Sequence, residues 1–315
     1  MPTSRPALGV GLVTLGAALF TVNAGVSRVA MRAGVDPAML TTIRVTATFA
    51  LLLLGAAVFR RSALRPPPGR LLLLVIAHGV VGVALLQWTY FVAIDRLPIG
   101  MALLLEYQAP VLVALWALLI QRRQVHRRVW AGLALAVVGL AAATEVWSGA
   151  RLDGVGIAAG LAAAVCFAAY FVIGEAGVSH LDPLQVIVWA FGVATVAFNL
   201  FVPITGLGAD LGERVSLLGA LDHLHAPLWL VLSWIVLLGT LIPFFGELIA
   251  LGFVKATTVT TIAMLEPIGV SALGWAWFGE SMGPIAITGC LAVVTGILIA
   301  QSARHHEGAE PTPIT

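Results

Sequence analysis

Apolar runs of about twenty residues, each closed by a short polar break, follow one another from Ala7 to about residue 302. A run of that length crosses the hydrocarbon core of a bilayer as a helix rising about 1.5 Å per residue. The runs predict helices at 7–29, 38–59, 71–94, 99–120, 129–147, 154–175, 184–206, 227–251, 257–278 and 284–302. Several breaks carry turn chemistry, such as Asp36-Pro37, Pro66-Pro67-Pro68 and Asp182-Pro183. Composition agrees: 60 % of residues are hydrophobic and 10 % charged, against about 25 % charged in soluble domains. The expected fold is an all-α integral membrane protein of ten transmembrane helices, with the lipid bilayer as its first partner. Arg5 precedes the first run as a signal-peptide n-region would, but the run outlasts an h-region of about 7–15 residues. It is therefore expected to be an uncleaved first span. The polar tail at 303–315 is expected to be disordered and cytoplasmic.

Charge orients the chain. With a cytoplasmic N-terminus, Arg5, Arg60, Arg61, Arg65, Arg70, Arg122, Arg123, Arg127, Arg128, Lys255 and Arg304 fall inside; Arg28, Arg32, Arg96, Arg151 and Arg214 fall outside. That bias predicts both termini on the cytoplasmic side of a bacterial inner membrane. The net charge of +2 is scattered, which points away from nucleic acid. Cys166 and Cys290 lie inside apolar runs and read as packing residues. His223 and His225, two apart in the long break at 206–226, are too few for a metal site, and no cofactor motif is present.

The chain repeats itself. A shift of 157 residues lays Ala93 on Ala250, Pro110 on Pro267, Gly132 on Gly289 and Gly139 on Gly296. A shift of 146 lays Asp36-Pro37 on Asp182-Pro183, and the long break supplies the difference. Two repeats of five helices follow, 7–147 and 154–302. Because five is odd, the second enters the membrane from the opposite side, giving the inverted-topology repeat that suits a carrier opening alternately to either face.

Two stretches carry a family resemblance: Ala93-Ile94-Asp95-Arg96-Leu97-Pro98-Ile99-Gly100-Met101-Ala102 with Leu105-Glu106 and Pro110, and Ala263-Met264-Leu265-Glu266-Pro267 with Gly279-Glu280. Together with ten spans in two halves, each ending in a Pro-bearing helix and a Gly-x6-Gly helix, they resemble the EamA branch of the drug/metabolite transporter superfamily. Within it they look most like the threonine/homoserine exporter group. The resemblance implies export of an amino acid or another small metabolite. The Glu usual in that family after the Pro-bearing helix stands at Glu280; the first repeat has Arg123 at that place.

Ionisable residues deep in a span cost about 2.5–3.5 kcal/mol each to insert and are the first functional candidates. Glu106 lies about seven residues inside the fourth span with Pro110 one turn on, so a carboxylate stands beside a backbone carbonyl that proline leaves unbonded. Arg44 lies at similar depth and is either its fixed ion-pair partner or a substrate-positioning group. Glu266 before Pro267, and Glu247 four residues after Pro243, repeat the pattern. Pro110, Pro267 and Pro243 are expected to shape the helices. Asn23, Gln87, Tyr90, Tyr107, Tyr170 and Trp275 are expected to line a cavity; Trp88, Trp189, Trp229 and Trp234 read as interfacial anchors. His78 reads as a packed, hydrogen-bonded group.

No phosphate-binding loop or zinc-helix motif is present, which argues against ATP coupling within this chain. The expected function is a secondary transporter, not an enzyme, exporting a small molecule by alternating access with a proton as candidate coupling ion. The rival is a membrane-embedded enzyme or assembly scaffold using the same carboxylates. Nothing in the sequence bears on oligomeric state.

Overall fold

The computed structural model describes residues 6–120, 122, 127–143, 153–178, 180–243, 246, 250, 265–280 and 283–307. Among them ten helical spans follow in chain order: α1 (Pro6–Arg32), α2 (Pro37–Phe59), α3 (Arg70–Arg96), α4 (Ile99–Glu106 and Ala109–Leu119), α5 (Arg127–Ala143), α6 (Gly154–Val178), α7 (Pro183–Phe201), α8 (Leu228–Leu241), α9 (Leu265–Phe278) and α10 (Pro284–Glu307). Among the described residues, five apolar stretches are long enough to cross a membrane: Ala7–Arg32, Pro37–Phe59, Arg70–Arg96, Gly154–Gly174 and Pro183–Phe201. Shorter apolar helices include Ile99–Val113, Leu228–Leu241 and Ile287–Gly296.

The repeated Asp-Pro pair is a helix start in both halves. The Asp36 carboxylate accepts the Ala38 and Met39 N–H groups at 2.9 and 3.1 Å, and Asp182 accepts that of Leu184 at 2.9 Å. Proline follows at the first helical position, where it has no N–H to waste. Two ends differ from expectation. α7 stops at Phe201, since Pro203 cannot extend it and a 3₁₀ turn (Ile204–Gly206) follows. α10 runs on to Glu307 through residues expected to be disordered: none of 303–307 is a helix breaker, and extending an existing helix is far easier than nucleating one. The long break also holds more than a charged loop. Strands β1 (Arg214–Ser216) and β2 (His225–Pro227) pair antiparallel with Val215 opposite Ala226. Three-residue strands are too short to show an alternating pattern.

The packing of the helices is symmetric between halves. α1 packs on α8 and α9, as α6 packs on α3 and α4; α2 pairs with α7, α4 with α9 and α5 with α10. In the last pair the backbones touch. A Cβ on Gly139 would lie 2.7 Å from the Gly289 carbonyl oxygen, and one on Gly296 would lie 2.4 Å from that of Gly132. Gly132 thus meets Gly296 and Gly139 meets Gly289, an antiparallel register that exchanges the halves. Lipid gives no hydrophobic drive for helix association, so close approach over small residues supplies it. Both third helices of the repeats also loosen into π turns, His78–Leu85 in α3 and Leu237–Leu241 in α8, and the 157-residue shift carries 80–84 onto 237–241.

The core centres on the first part of α4, where every residue from Ile99 to Glu106 except Met101 is buried. A segment apolar on all sides belongs at the centre of a bundle. Phe59, Leu200 and Phe201, each more than 80 % exposed, lie on the outside, which in a membrane faces lipid.

Candidate functional site

Pro110 breaks α4 where the sequence predicts. It has no N–H to offer the Glu106 carbonyl, and the helix ends at Glu106, turns through Tyr107 and Gln108, and resumes at Ala109. Glu106, Tyr107 and Gln108 are all buried at this break.

Arg44 approaches from α2. Its Nε donates to the Thr240 hydroxyl at 2.7 Å and its Nη2 to the Gly239 carbonyl at 3.1 Å, both in the α8 π turn. The guanidinium also lies over the Phe91 ring, 5.5 Å from its centroid. Thr240 is oriented by donating to the Ile235 carbonyl five residues back, at 2.9 Å. The fixed Arg44–Glu106 ion pair considered from sequence is not formed: no nitrogen–oxygen contact of 4 Å or less joins them. Arg44, Glu106, Glu266 and Tyr90 nevertheless lie within electrostatic reach of one another. Neutral groups hold the arginine, and its Nη1 has no hydrogen-bond partner among the described residues.

Glu266 enters from the first turn of α9 and accepts the Tyr107 hydroxyl at 2.9 Å. The group therefore joins the two halves twice: α2 to α8 through Arg44, and α4 to α9 through Tyr107. Asn23 Oδ1, which lies against Gly239 of the α8 π turn, Gln108 Oε1 at the α4 break and Gln87 Oε1 in α3 are buried without a hydrogen-bond partner among the described residues. A buried acceptor left unpaired costs about 1–3 kcal/mol, so each calls for water or a ligand.

Other expected residues lie elsewhere. Tyr170 belongs to an aromatic row, 4.8 Å from the His78 ring and 6.2 Å from Phe167, which in turn lies 6.1 Å from Tyr107. His78 is packed as expected, but its Nδ1 has no hydrogen-bond partner among the described residues. Trp275 is 69 % exposed, on the outer surface of α9, and so lines no cavity. The helical period alone does not say which face of α9 turns inward. Pro243 is buried just past α8; Pro110 and Pro267 sit within α4 and α9; Glu247 lies outside the described residues. Trp88 and Trp229 are partly exposed, as anchors should be, whereas Trp189 and Trp234 bury their indole N–H without a partner among the described residues.

A second polar group was not among the site candidates. Arg28, counted among outside residues, is buried in α1. It pairs with Glu280, just beyond α9, and donates to the carbonyls of Ile94 at the end of α3 and Leu97 in the α3–α4 turn. Glu280 also accepts the Ile99 N–H at 3.2 Å. One arginine thus ties α1, the α3–α4 turn and the α9–α10 turn together. The long hairpin covers the same end: the Trp277 indole donates to the Leu217 carbonyl at 2.9 Å. The signal in the sequence was the place of Arg28 just inside the end of the first apolar run, together with the Gly279-Glu280 pair.

The EamA-like transporter family matches the chain twice, at residues 7–144 and 154–301. The threonine/homoserine exporter RhtA of Escherichia coli (strain K12) is 32 % identical over 212 residues, 66 % of this chain and 64 % of that protein. The protein of the same name from Salmonella typhimurium (strain SL1344) is 29 % identical over 214 residues, 66 % of this chain and 64 % of its own. The match to these relatives thus spans somewhat less than two thirds of their length. An uncharacterized transporter of Archaeoglobus fulgidus is 25 % identical over 236 residues, 74 % of this chain and 77 % of its own. One solved crystal structure superposes on 94 % of this chain and 98 % of its own with a TM-score of 0.60 at 18 % identity, a likeness of fold.

Proposed function

The chain belongs to the EamA-like transporter family, and from that membership we propose that it is a secondary exporter of an amino acid or a closely related metabolite, working by alternating access. Membership in a transporter family sets the embedded-enzyme and scaffold alternative aside. The observation that carries the substrate class is the buried group at the junction of the halves: an arginine held by neutral partners, with two carboxylates within electrostatic reach. An amino acid brings one charge of each sign. Its carboxylate would take the free edge of Arg44, its ammonium would sit between Glu106 and Glu266, and the orphan amide oxygens of Asn23, Gln87 and Gln108 would accept its remaining donors.

The two repeats, 7–147 and 154–302, are the moving bodies in this proposal. Substrate binding would rearrange the Arg44–Thr240 and Tyr107–Glu266 bonds that cross between them. The Arg28–Glu280 tie closes one end. By the arginine bias that end faces outward, with both termini in the cytoplasm of a bacterial cell. A carboxylate that exchanges a proton for the substrate ammonium makes a proton the candidate coupling ion.

The test is ligand-dependent thermal stabilisation of the purified protein across a panel of amino acids. A ligand that binds only the folded state raises its stability, by about 2.7 kcal/mol at a hundredfold excess over Kd. The proposal expects one class of amino acid to raise the melting temperature of the native chain and to lose that effect in Arg44→Gln. A panel that stabilises neither protein, or stabilises both equally, overturns the substrate assignment.

A further inference from the structure

A groove of about 680 Å³ runs along the outside of the bundle, between α2, α3 and α7. Phe49 and Leu53 of α2, Ile76 of α3, and Trp189, Val196 and Leu200 of α7 line it, so its walls are apolar almost throughout. From Val188 to Leu200 the α7 wall is about 18 Å long by helix rise. One end is closed by Leu64, which belongs to the 3₁₀ turn Arg61–Leu64 that follows α2. Side chains three apart eclipse in such a turn, so Arg61 stands alongside Leu64, and Arg65 follows it directly.

This end is built and held. The Arg60 guanidinium pairs with Asp182 at 2.5 Å, and the Gln185 amide donates to the Arg65 carbonyl at 2.7 Å, pinning the turn to the start of α7. Arg61 uses its Nε on the Ala57 carbonyl at 3.0 Å. Asp182 being taken by Arg60, the exposed side chains of Arg61, Arg65 and Arg70 have no acidic partner among the described residues. Exposed arginines without an acidic partner among the described residues thus sit on a held turn at the polar end of a long apolar slot.

We propose that this groove is a binding site for an anionic phospholipid, its phosphate on Arg61 and Arg65 and one acyl chain laid along α7 past Trp189. The two halves of the site match the two halves of the ligand: guanidinium forks bind phosphate oxygens bidentately, and the walls take hydrocarbon. The site lies outside the buried charged group and does not depend on the transport proposal.

The experiment is lipid retention by the full chain in nonionic detergent, read by native mass spectrometry. The probes are phosphatidylglycerol and phosphatidylethanolamine with identical acyl chains. The native protein is expected to retain phosphatidylglycerol preferentially, and Arg61→Gln/Arg65→Gln to lose about fivefold of that preference per arginine removed. Arg127→Gln, an exposed arginine on α5, is the charge control and should change nothing. A second readout needs no arginine variant: phosphatidylglycerol with a brominated acyl chain should quench the fluorescence of the native protein more than that of Trp189→Phe. Equal retention of the two lipids, an equal loss in the control, or quenching that is indifferent to Trp189 overturns the proposal. So does a dimer in light scattering that forms as lipid is excluded, which would assign the groove to a second copy.

Discussion

Arg44 shows why residue type matters more than charge at this site. Its planar fork reaches a hydroxyl and a carbonyl on α8 at once and leaves one edge open. A lysine brings the same charge as a single point and cannot hold both partners while meeting a third. Each hydrogen bond to a charged group contributes about 1.5–3 kcal/mol, so Arg44→Lys is expected to lower substrate affinity at least tenfold while the protein still folds. Unchanged affinity in a binding titration would remove Arg44 from the site. Tyr107→Phe is a milder case. It deletes one hydrogen bond to Glu266 and leaves the ring packed against Phe167. Transport should slow severalfold with a fall in melting temperature of no more than a few degrees, and a collapse in stability instead would mean that the bond is purely structural.

At the scale of elements, the α5–α10 contact makes the sharpest prediction. Gly296 lies against the backbone of Gly132 and Ala136 with no room for a side chain. Gly296→Leu should push the helices apart and lower the melting temperature in detergent by well over ten degrees or abolish folding. Gly11→Ala is the control: nothing lies within 4 Å of an added methyl, and alanine suits a helix better by about 0.5–1 kcal/mol. Equal behaviour of the two variants would refute the packing account.

The helices, the Asp-Pro starts, the Gly-x6-Gly helices and the broken fourth span were legible in the sequence, because apolar run length, capping and proline act locally; that the two Gly helices pair with each other was not. The partners of Arg44 were not. Its bonds reach residues nearly two hundred positions away in a π turn that no local signal marks. The burial of Arg28 was not legible for a related reason: it lies near a helix end, where exposure and burial differ by one turn, and only the fold brings Glu280 and the α3–α4 turn to it. The outward face of Trp275 also depends on which neighbours α9 has, not on its own residues.

Over the whole molecule, two polar groups have different tasks. The buried charges lie where the halves meet, and the Arg28–Glu280 tie joins α1 to the α9–α10 turn beneath the hairpin. In the proposed carrier the two would be coupled, the end opening only when the tie breaks. Ser27, fully buried beside Arg28, reports on it. A cysteine placed there should react slowly with a charged maleimide in the native background and several times faster in Glu280→Gln; equal rates would show that the tie is no gate. The central claim, that the charged junction of two inverted repeats moves an amino acid, is tested most directly by counterflow in proteoliposomes loaded with an amino-acid panel, with and without a pH gradient, comparing the native chain with Glu106→Gln. Counterflow of one amino-acid class, lost in the variant, is the predicted result. Folded protein that moves no member of the panel, or a variant that transports as well as the native chain, would contradict it.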